Sequence, residues 1–241
     1  MLDLDGTLAP VAPKPHLARL PLETARLLES AAAAEEVRLV VVSARPVREV
    51  RRLVRVRRAV LVGQYGLEGP TAPAAAARAR FRRGAARLVG LLRPIVRRVP
   101  GALLEPKGYT LGVHYRGVPA AAARRLLRTL RAVSEREAAD EGFVPVAGRK
   151  VVDFVPAGFD KGRAVRAIVS RLRPDTVAYF GDSTGDEPAF QALRPRDWPV
   201  RVGLGHTRAR YRVAGPPGVA RFLGAVARFR AGTAGSKEVE P

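Results

Sequence analysis

Asp3 and Asp5 stand two positions apart near the start of the chain, so an extended backbone points both carboxylates to one side. Gly6 then allows a sharp turn, and Thr7 adds a hydroxyl beside them. Two close carboxylates repel, and such a pair calls for a cation or a shared proton. With a divalent metal, one can attack as a nucleophile while its neighbour moves protons. A calcium loop is a poor fit: counted from Asp3, the positions that need Gly and Glu hold Leu8 and Lys14. A plain acidic turn stays open on these residues alone.

Three further clusters carry matching chemistry. Ser43 and Arg45 follow an apolar run, Lys161 opens a helical stretch, and Asp182-Ser183-Thr184-Gly185-Asp186-Glu187 follows another apolar run. Open α/β sheets place their ligand sites beyond strand ends of this kind. Together the clusters supply a nucleophile, an acid/base, a hydroxyl, a fixed cation and extra carboxylates for a hard metal. Phosphoryl transfer requires that inventory, because charge on the equatorial oxygens must be neutralised.

The elements that position these residues follow from periodicity. Residues 20–36 read as a helix, 37–42 as a buried strand, 46–56 as a helix opened by Pro46, and 59–62 as a second buried strand. Residues 70–99 are helical, with an interruption expected at Pro94. The pattern then changes to strands at 102–105, 109–116 and 149–155, with a helix over 120–139. Alternation resumes with a helix at 160–172, strands at 176–180 and 200–202, and helices at 185–193 and 219–229. The expected fold is α/β, a Rossmann-like doubly wound parallel sheet with an inserted α+β cap. The core takes residues 1–99 and 158–230, the cap 100–157, and a disordered tail 231–241.

Composition narrows the function classes. With 241 residues and no cysteine, disulfides and thiolate metal sites are excluded. No apolar run reaches the ~18 residues of a membrane span, and no secretory pattern opens the chain, so cytoplasm and no membrane partner are expected. The net charge of +21 comes from 38 Arg and 5 Lys spread over nearly every segment. That spread fits a compositional bias better than a nucleic-acid footprint, although it attracts anions in a salt-dependent way. Gly203-Leu204-Gly205 lacks the third glycine of a dinucleotide site. Nucleic acid is therefore not the expected partner, and the chain is taken as a monomer.

The four clusters, in order, resemble the motifs of the haloacid dehalogenase superfamily. The resemblance implies Asp3 as nucleophile, Asp5 as acid/base, Thr7, Ser43 and Lys161 as further catalytic groups, and Mg²⁺ held by Asp3, Asp5 (through its main-chain carbonyl), Asp182 and Asp186. Glu105-Pro106-Lys107 with His114-Tyr115-Arg116, and Gly63-Gln64-Tyr65-Gly66-Leu67-Glu68, are similar to segments of trehalose-6-phosphate phosphatases. Arg45, Gly66, Glu68, Glu105, Lys107, His114, Arg116 and Asp153 would then bind a sugar phosphate. On spacing alone, His114 is equally a polar-face histidine and Glu105–Lys107 a strand ion pair.

The chain departs from the pattern in three places. Only Met1 and Leu2 precede the nucleophile, so the first strand is short and the natural start is expected upstream. Ser183 and Gly185 replace a carboxylate and a threonine, and Asp153 stands where glutamate is common. Those changes keep open a phosphatase of a sucrose, glucosylglycerol or mannosyl-phosphoglycerate ester. A basic nucleic-acid-binding protein, inactive through its shortened strand, is the alternative from another class.

Overall fold

A computed structural model describes residues 1–235. Its centre is a parallel sheet built from short, β-branched runs. Strands β1 (Val40–Val42) and β2 (Val60–Val62) pair in parallel on one side. On the other, β7 (Ala178–Gly181), β8 (Trp198–Val202) and β9 (Tyr211–Val213) do the same. Leu2 joins the two halves, with parallel bridges to Val41 and to Phe180. Its amide donates to the Val40 carbonyl and its carbonyl accepts from Val42, both at 2.9 Å, while the Asp3 amide donates to Phe180 at 2.9 Å. The shortened first strand therefore still carries hydrogen bonds on both edges.

Alternate residues of β1 face opposite layers, as strand geometry dictates. Val41 packs with Leu28 of α1 (Leu22–Ala33), Val50 of α2 (Val47–Leu53) and Leu223 of α7 (Pro216–Gly235). Val40 and Val42 pack with Val165 and Ile168 of α5 (Lys161–Leu172) and Phe190 of α6 (Glu187–Gln191). Helices cover both faces, which makes the sheet doubly wound.

A second sheet is antiparallel, in the order β3 (Leu103–Pro106), β4 (Leu111–His114), β6 (Val151–Pro156), β5 (Phe143–Gly148). α4 (Ala120–Val133) and a following π-turn at Ser134–Ala138 connect β4 to β5. The 23-residue α3 (Ala75–Arg97) lays Leu88, Leu92 and Val96 on this sheet, against Leu111, Val113 and Phe154. So α3, expected with the parallel core, packs with the antiparallel unit.

Other expectations need correction. α3 runs through Pro94, whose missing N–H falls on the exposed face of the helix. β5 was not anticipated because Pro145 sits inside it, and an edge strand tolerates that residue. β9 was also missed. α1 and α7 differ from their expected bounds, and α7 continues into the expected tail as far as Gly235; residues 236–241 lie outside the described residues.

The bridging role of Leu2 gives a stability prediction. Its side chain is 3% exposed in the apolar layer, so Leu2→Ala should cost about 2–4 kcal/mol in urea unfolding. Leu204→Ala, at a residue 90% exposed, should change stability by less than about 0.5 kcal/mol. Equal effects would remove Leu2 from the packed centre.

Candidate active site

The site forms where the parallel strands end. Asp3 and Asp5 follow the Leu2 bridge, Ser43 and Arg45 follow β1, and Asp182 follows β7. Lys161 is the first residue of α5, whose start is fixed by the Asp160 side chain accepting from the Arg163 amide at 2.6 Å. The cap places the lysine at the sheet edge.

Lys161 is the hub. Its ammonium donates to Asp3 Oδ1 at 2.6 Å and to Asp186 Oδ1 at 2.7 Å, and all three residues are buried. Burial opposes the lysine charge, but Asp186 and Asp3 outweigh it and hold the group firmly protonated. Asp186 also accepts from the Tyr179 hydroxyl at 2.8 Å on Oδ1, and from the Ser183 amide and hydroxyl at 3.0 and 2.8 Å on Oδ2. Burial works against its ionisation, but the Lys161 charge and these donors outweigh it and hold its pKa below the ordinary carboxylate range.

Asp3 and Asp182 behave in the opposite way. Burial, with help from neighbouring carboxylates, pushes Asp3 well up despite Lys161. Burial and then the Asp186 charge raise Asp182 to about 6, against the pull of Lys161, Arg201 and Arg149. Carboxylate oxygens of Asp3, Asp182 and Asp186 lie within 4.8 Å of one another. Such a cluster of hard oxygen donors, two of them strained as anions, fits a small divalent cation. A side chain at Gly6 would collide with the Asp182 carboxylate, so glycine leaves that approach open. Four donors already hold Asp186, so besides belonging to the acidic cluster it orders Lys161 and the loop after β7.

Asp5 lies outside this carboxylate cluster. Arg45 Nε and Nη2 donate to its two oxygens at 2.6 and 2.8 Å, and Arg45 Nη1 reaches Glu49 at 3.3 Å. Its side chain is thus held in the cleft. Ser43 is buried and its hydroxyl accepts from the Arg45 amide at 3.2 Å. Thr7 is fully buried and does not line the cleft.

The antiparallel sheet supplies the opposite wall. Glu105, Lys107, His114, Arg116, Arg149 and Asp153 face the motif residues across a cavity of about 130 Å³. His114 Nε2 is 2.7 Å from Glu105 Oε2, and Lys107 Nζ is 3.7 Å from the same oxygen. Burial resists the Glu105 charge, yet the His114 hydrogen bond and the Lys107 and Arg45 charges bring its pKa down to about 2. Arg116 donates to the Arg149 carbonyl at 2.8 Å from the exposed rim.

Two expected sugar-binding residues sit elsewhere, and a third borders the cleft with its carboxylate already in contact with protein groups. Glu68 accepts from the Val47 amide at 2.5 Å, closing the first turn of α2, and from Gln64 Nε2 at 2.9 Å. Gly66 has φ +97° in a turn whose carbonyl accepts from Thr71, and neither residue lines the cleft. Asp153 borders the cleft, but its two oxygens are engaged by Lys107 and Tyr65, each at 2.7 Å. Gln64 and Tyr65 were passed over. Fully buried Gln64 accepts through Oε1 from the Tyr109 amide, the Thr110 amide and the Thr110 hydroxyl at 3.0–3.1 Å, joining the two sheets. A polar pair between two glycines, Gly63 and Gly66, was the available signal.

Known proteins share this fold. Among solved structures, a trehalose-6-phosphate phosphatase related protein superposes with TM-score 0.81 at 22% identity, over 96% of this chain and 98% of that one. A haloacid dehalogenase-like hydrolase from Bacteroides thetaiotaomicron gives 0.63 at 14%, over 93% and 97%. These likenesses establish the fold. The trehalose-6-phosphate phosphatase of Escherichia coli is 30% identical over 92% of this chain and 83% of its own length. A bifunctional trehalose-6-phosphate synthase/phosphatase of Thermoproteus tenax is also 30% identical over 92% of this chain, which spans only 31% of that protein. An uncharacterized glycosyl hydrolase of Mycobacterium tuberculosis, 32% identical, is spanned over 18% of its length. The trehalose-phosphatase family profile matches residues 1–216, and the chain belongs to that family.

Proposed function

We propose that this chain is a Mg²⁺-dependent phosphatase that hydrolyses trehalose 6-phosphate to trehalose and phosphate. The observation that carries the reading is the meeting of two walls in one cleft, Asp3, Lys161 and Asp182 on one side and Glu105, Lys107 and His114 on the other. The first set suits a phosphoryl group, and the second offers acceptors and donors to sugar hydroxyls.

Lys161 holds Asp3 through Oδ1, which leaves Oδ2 to attack phosphorus. As the Asp3–phosphorus bond forms, the ester P–O bond breaks and Asp5 gives a proton to the departing sugar oxygen. Asp5 then takes a proton from the water that attacks phosphorus, which releases phosphate and restores Asp3. Arg45 must first loosen its two-donor grip on Asp5, and the substrate's phosphoryl oxygens are the competing acceptors. Asp3, Asp182 and the Asp5 carbonyl would hold Mg²⁺, which supplies positive charge against the phosphoryl oxygens. Ser43 and Lys161 grip the same oxygens.

The antiparallel unit serves as the cap. The cavity of about 130 Å³ is below the ~300 Å³ at which pockets for drug-sized ligands begin, so the ester enters by parting of the walls and is then enclosed. The inactive nucleic-acid-binding alternative combined the basic charge with a defective first strand, and the hydrogen bonds on both edges of Leu2 count against that defect.

The direct test is phosphate release from trehalose 6-phosphate beside sucrose 6-phosphate, glucose 6-phosphate and an aryl phosphate. Preference for the first supports the substrate, and turnover of the others alone discards it while keeping the chemistry. Asp3→Asn should abolish turnover of all of them; wild-type rates in that variant would refute the nucleophile.

Asp182 also sets a pH dependence. Its pKa in the folded chain, about 6, lies above the ordinary 3.8, so the folded state binds the proton more tightly than the unfolded one. Metal-free protein should therefore lose up to about 3 kcal/mol as pH rises from about 4 through 6. Added Mg²⁺ should raise the melting temperature more at pH 7.5 than at pH 5, because it binds the ionised carboxylates. An equal shift at both values, or none, would count against the metal site.

A further inference from the structure

We infer that Tyr65 is a positioning residue which, through Asp153, fixes Lys107 against the sugar part of the substrate. The inference rests on the sugar-phosphatase reading above and deepens it.

Asp153 stands between Lys107 and Tyr65. Its side chain is 5% exposed and each carboxylate oxygen has one partner, Lys107 Nζ on Oδ1 and the Tyr65 hydroxyl on Oδ2. The carboxylate keeps two lone-pair sites, but on a side chain this deeply buried its main task is to hold Lys107 and Tyr65 in place. Lys107 is itself buried, and burial would favour the neutral amine, but Asp153 and Glu105 keep it charged. The ammonium borders the cleft. Its three N–H donors serve Asp153 directly and face Glu105 at 3.7 Å, which leaves donor capacity for a sugar oxygen.

Tyr65 enters from the other sheet. It lies in the turn Gln64–Gly66 after β2, at φ +60°, a left-handed conformation that non-glycine residues adopt at a cost. Its ring is clamped in an apolar seam with Leu67, Phe81, Tyr109 and Phe159, so the hydroxyl has little freedom to move. A side-chain carbon at Gly112 would stand 2.7 Å from Asp153 Oδ1 and 3.4 Å from Lys107 Nζ, so the absence of a side chain there lets the chain of contacts close. The position of a cleft lysine is thereby set by a rigid turn of the parallel sheet.

Tyr65→Phe removes one oxygen and keeps the ring. Its KM for trehalose 6-phosphate should rise about 5–10-fold, the scale of one lost ordinary hydrogen bond because the effect reaches the sugar only through Lys107, with kcat changed less than about twofold. Kinetics with a small aryl phosphate should stay at wild-type values. In a Lys107→Ala background the same change should add nothing to KM, because Tyr65 acts through the lysine. An unchanged KM, equal effects on both substrates, or full additivity would overturn the inference.

A second readout needs no substrate. Acetic anhydride labelling of Lys107, followed by peptide mass, should be about threefold faster in Tyr65→Phe than in wild type, with Lys14 and Lys150 unaffected. Asp153→Asn, which removes the anion and keeps the volume, should increase labelling further. Unchanged labelling in both variants would refute the positioning role. If wild type turns over only the aryl phosphate, the substrate reading fails, and labelling alone still decides for or against Tyr65.

Discussion

The buried ammonium of Lys161 is the constraint on which the other site residues depend. It joins Asp3 at the start of the chain to Asp186 far downstream, and neither carboxylate is ionised at low cost without it. Removing one member of such a network leaves an uncompensated buried charge, typically at a cost of about 3–5 kcal/mol. The surrounding devices are best understood as serving this group. Asp160 fixes the helix that presents the lysine, and Tyr179 and Ser183 saturate Asp186 so that Lys161 has a permanent counterion. Asp3 receives only a share of the cation, and its carboxylate is raised in energy by burial and its acidic neighbours.

That imbalance distinguishes two carboxylates that look alike in sequence. Asp186 has four donors and is settled as an anion; Asp182, in the same loop, is pushed up to about 6 by burial and by Asp186. Spacing marks both as candidate ligands, but only three-dimensional hydrogen bonding separates the anion that orders the loop from the one that burial destabilises. Glu68 teaches the same lesson, since a carboxylate expected at the sugar instead closes the first turn of α2.

What was legible in the chain follows from how local each signal is. The β-branched runs at 40–42 and 60–62, and the acidic and basic residues just beyond strand ends, announce a parallel sheet with its site at one edge. β5 was hidden because Pro145 contradicts strand propensity, and only the knowledge that it is an edge strand resolves the conflict. The assignment of α3 failed for a different reason: its amphipathic face shows that it packs, and nothing in its period says against which sheet. Gln64 was invisible as a link because its three donors come from residues 45 and 46 positions away.

The two sheets divide the work in a way that the contacts between them make specific. The parallel sheet carries Asp3, Asp5 and Ser43 just past short strands, and α5, packed on that sheet, carries Lys161 at its first residue, where few torsions separate the side chain from the packed core. The antiparallel sheet carries Glu105, Lys107 and His114 on β3 and β4, where cross-strand neighbours bring them to one face. Charges placed on two such bodies stay in register only if something rigid spans the gap. Gln64 does so through backbone amides and Tyr65 through Asp153, both from one turn held in left-handed geometry. A flexible loop at that place would let the sugar-facing charges drift relative to the nucleophile, and misplacement by about 1 Å is enough to cost a large factor in rate. The strained turn is therefore the structural condition for combining a general phosphoryl site with a selective wall.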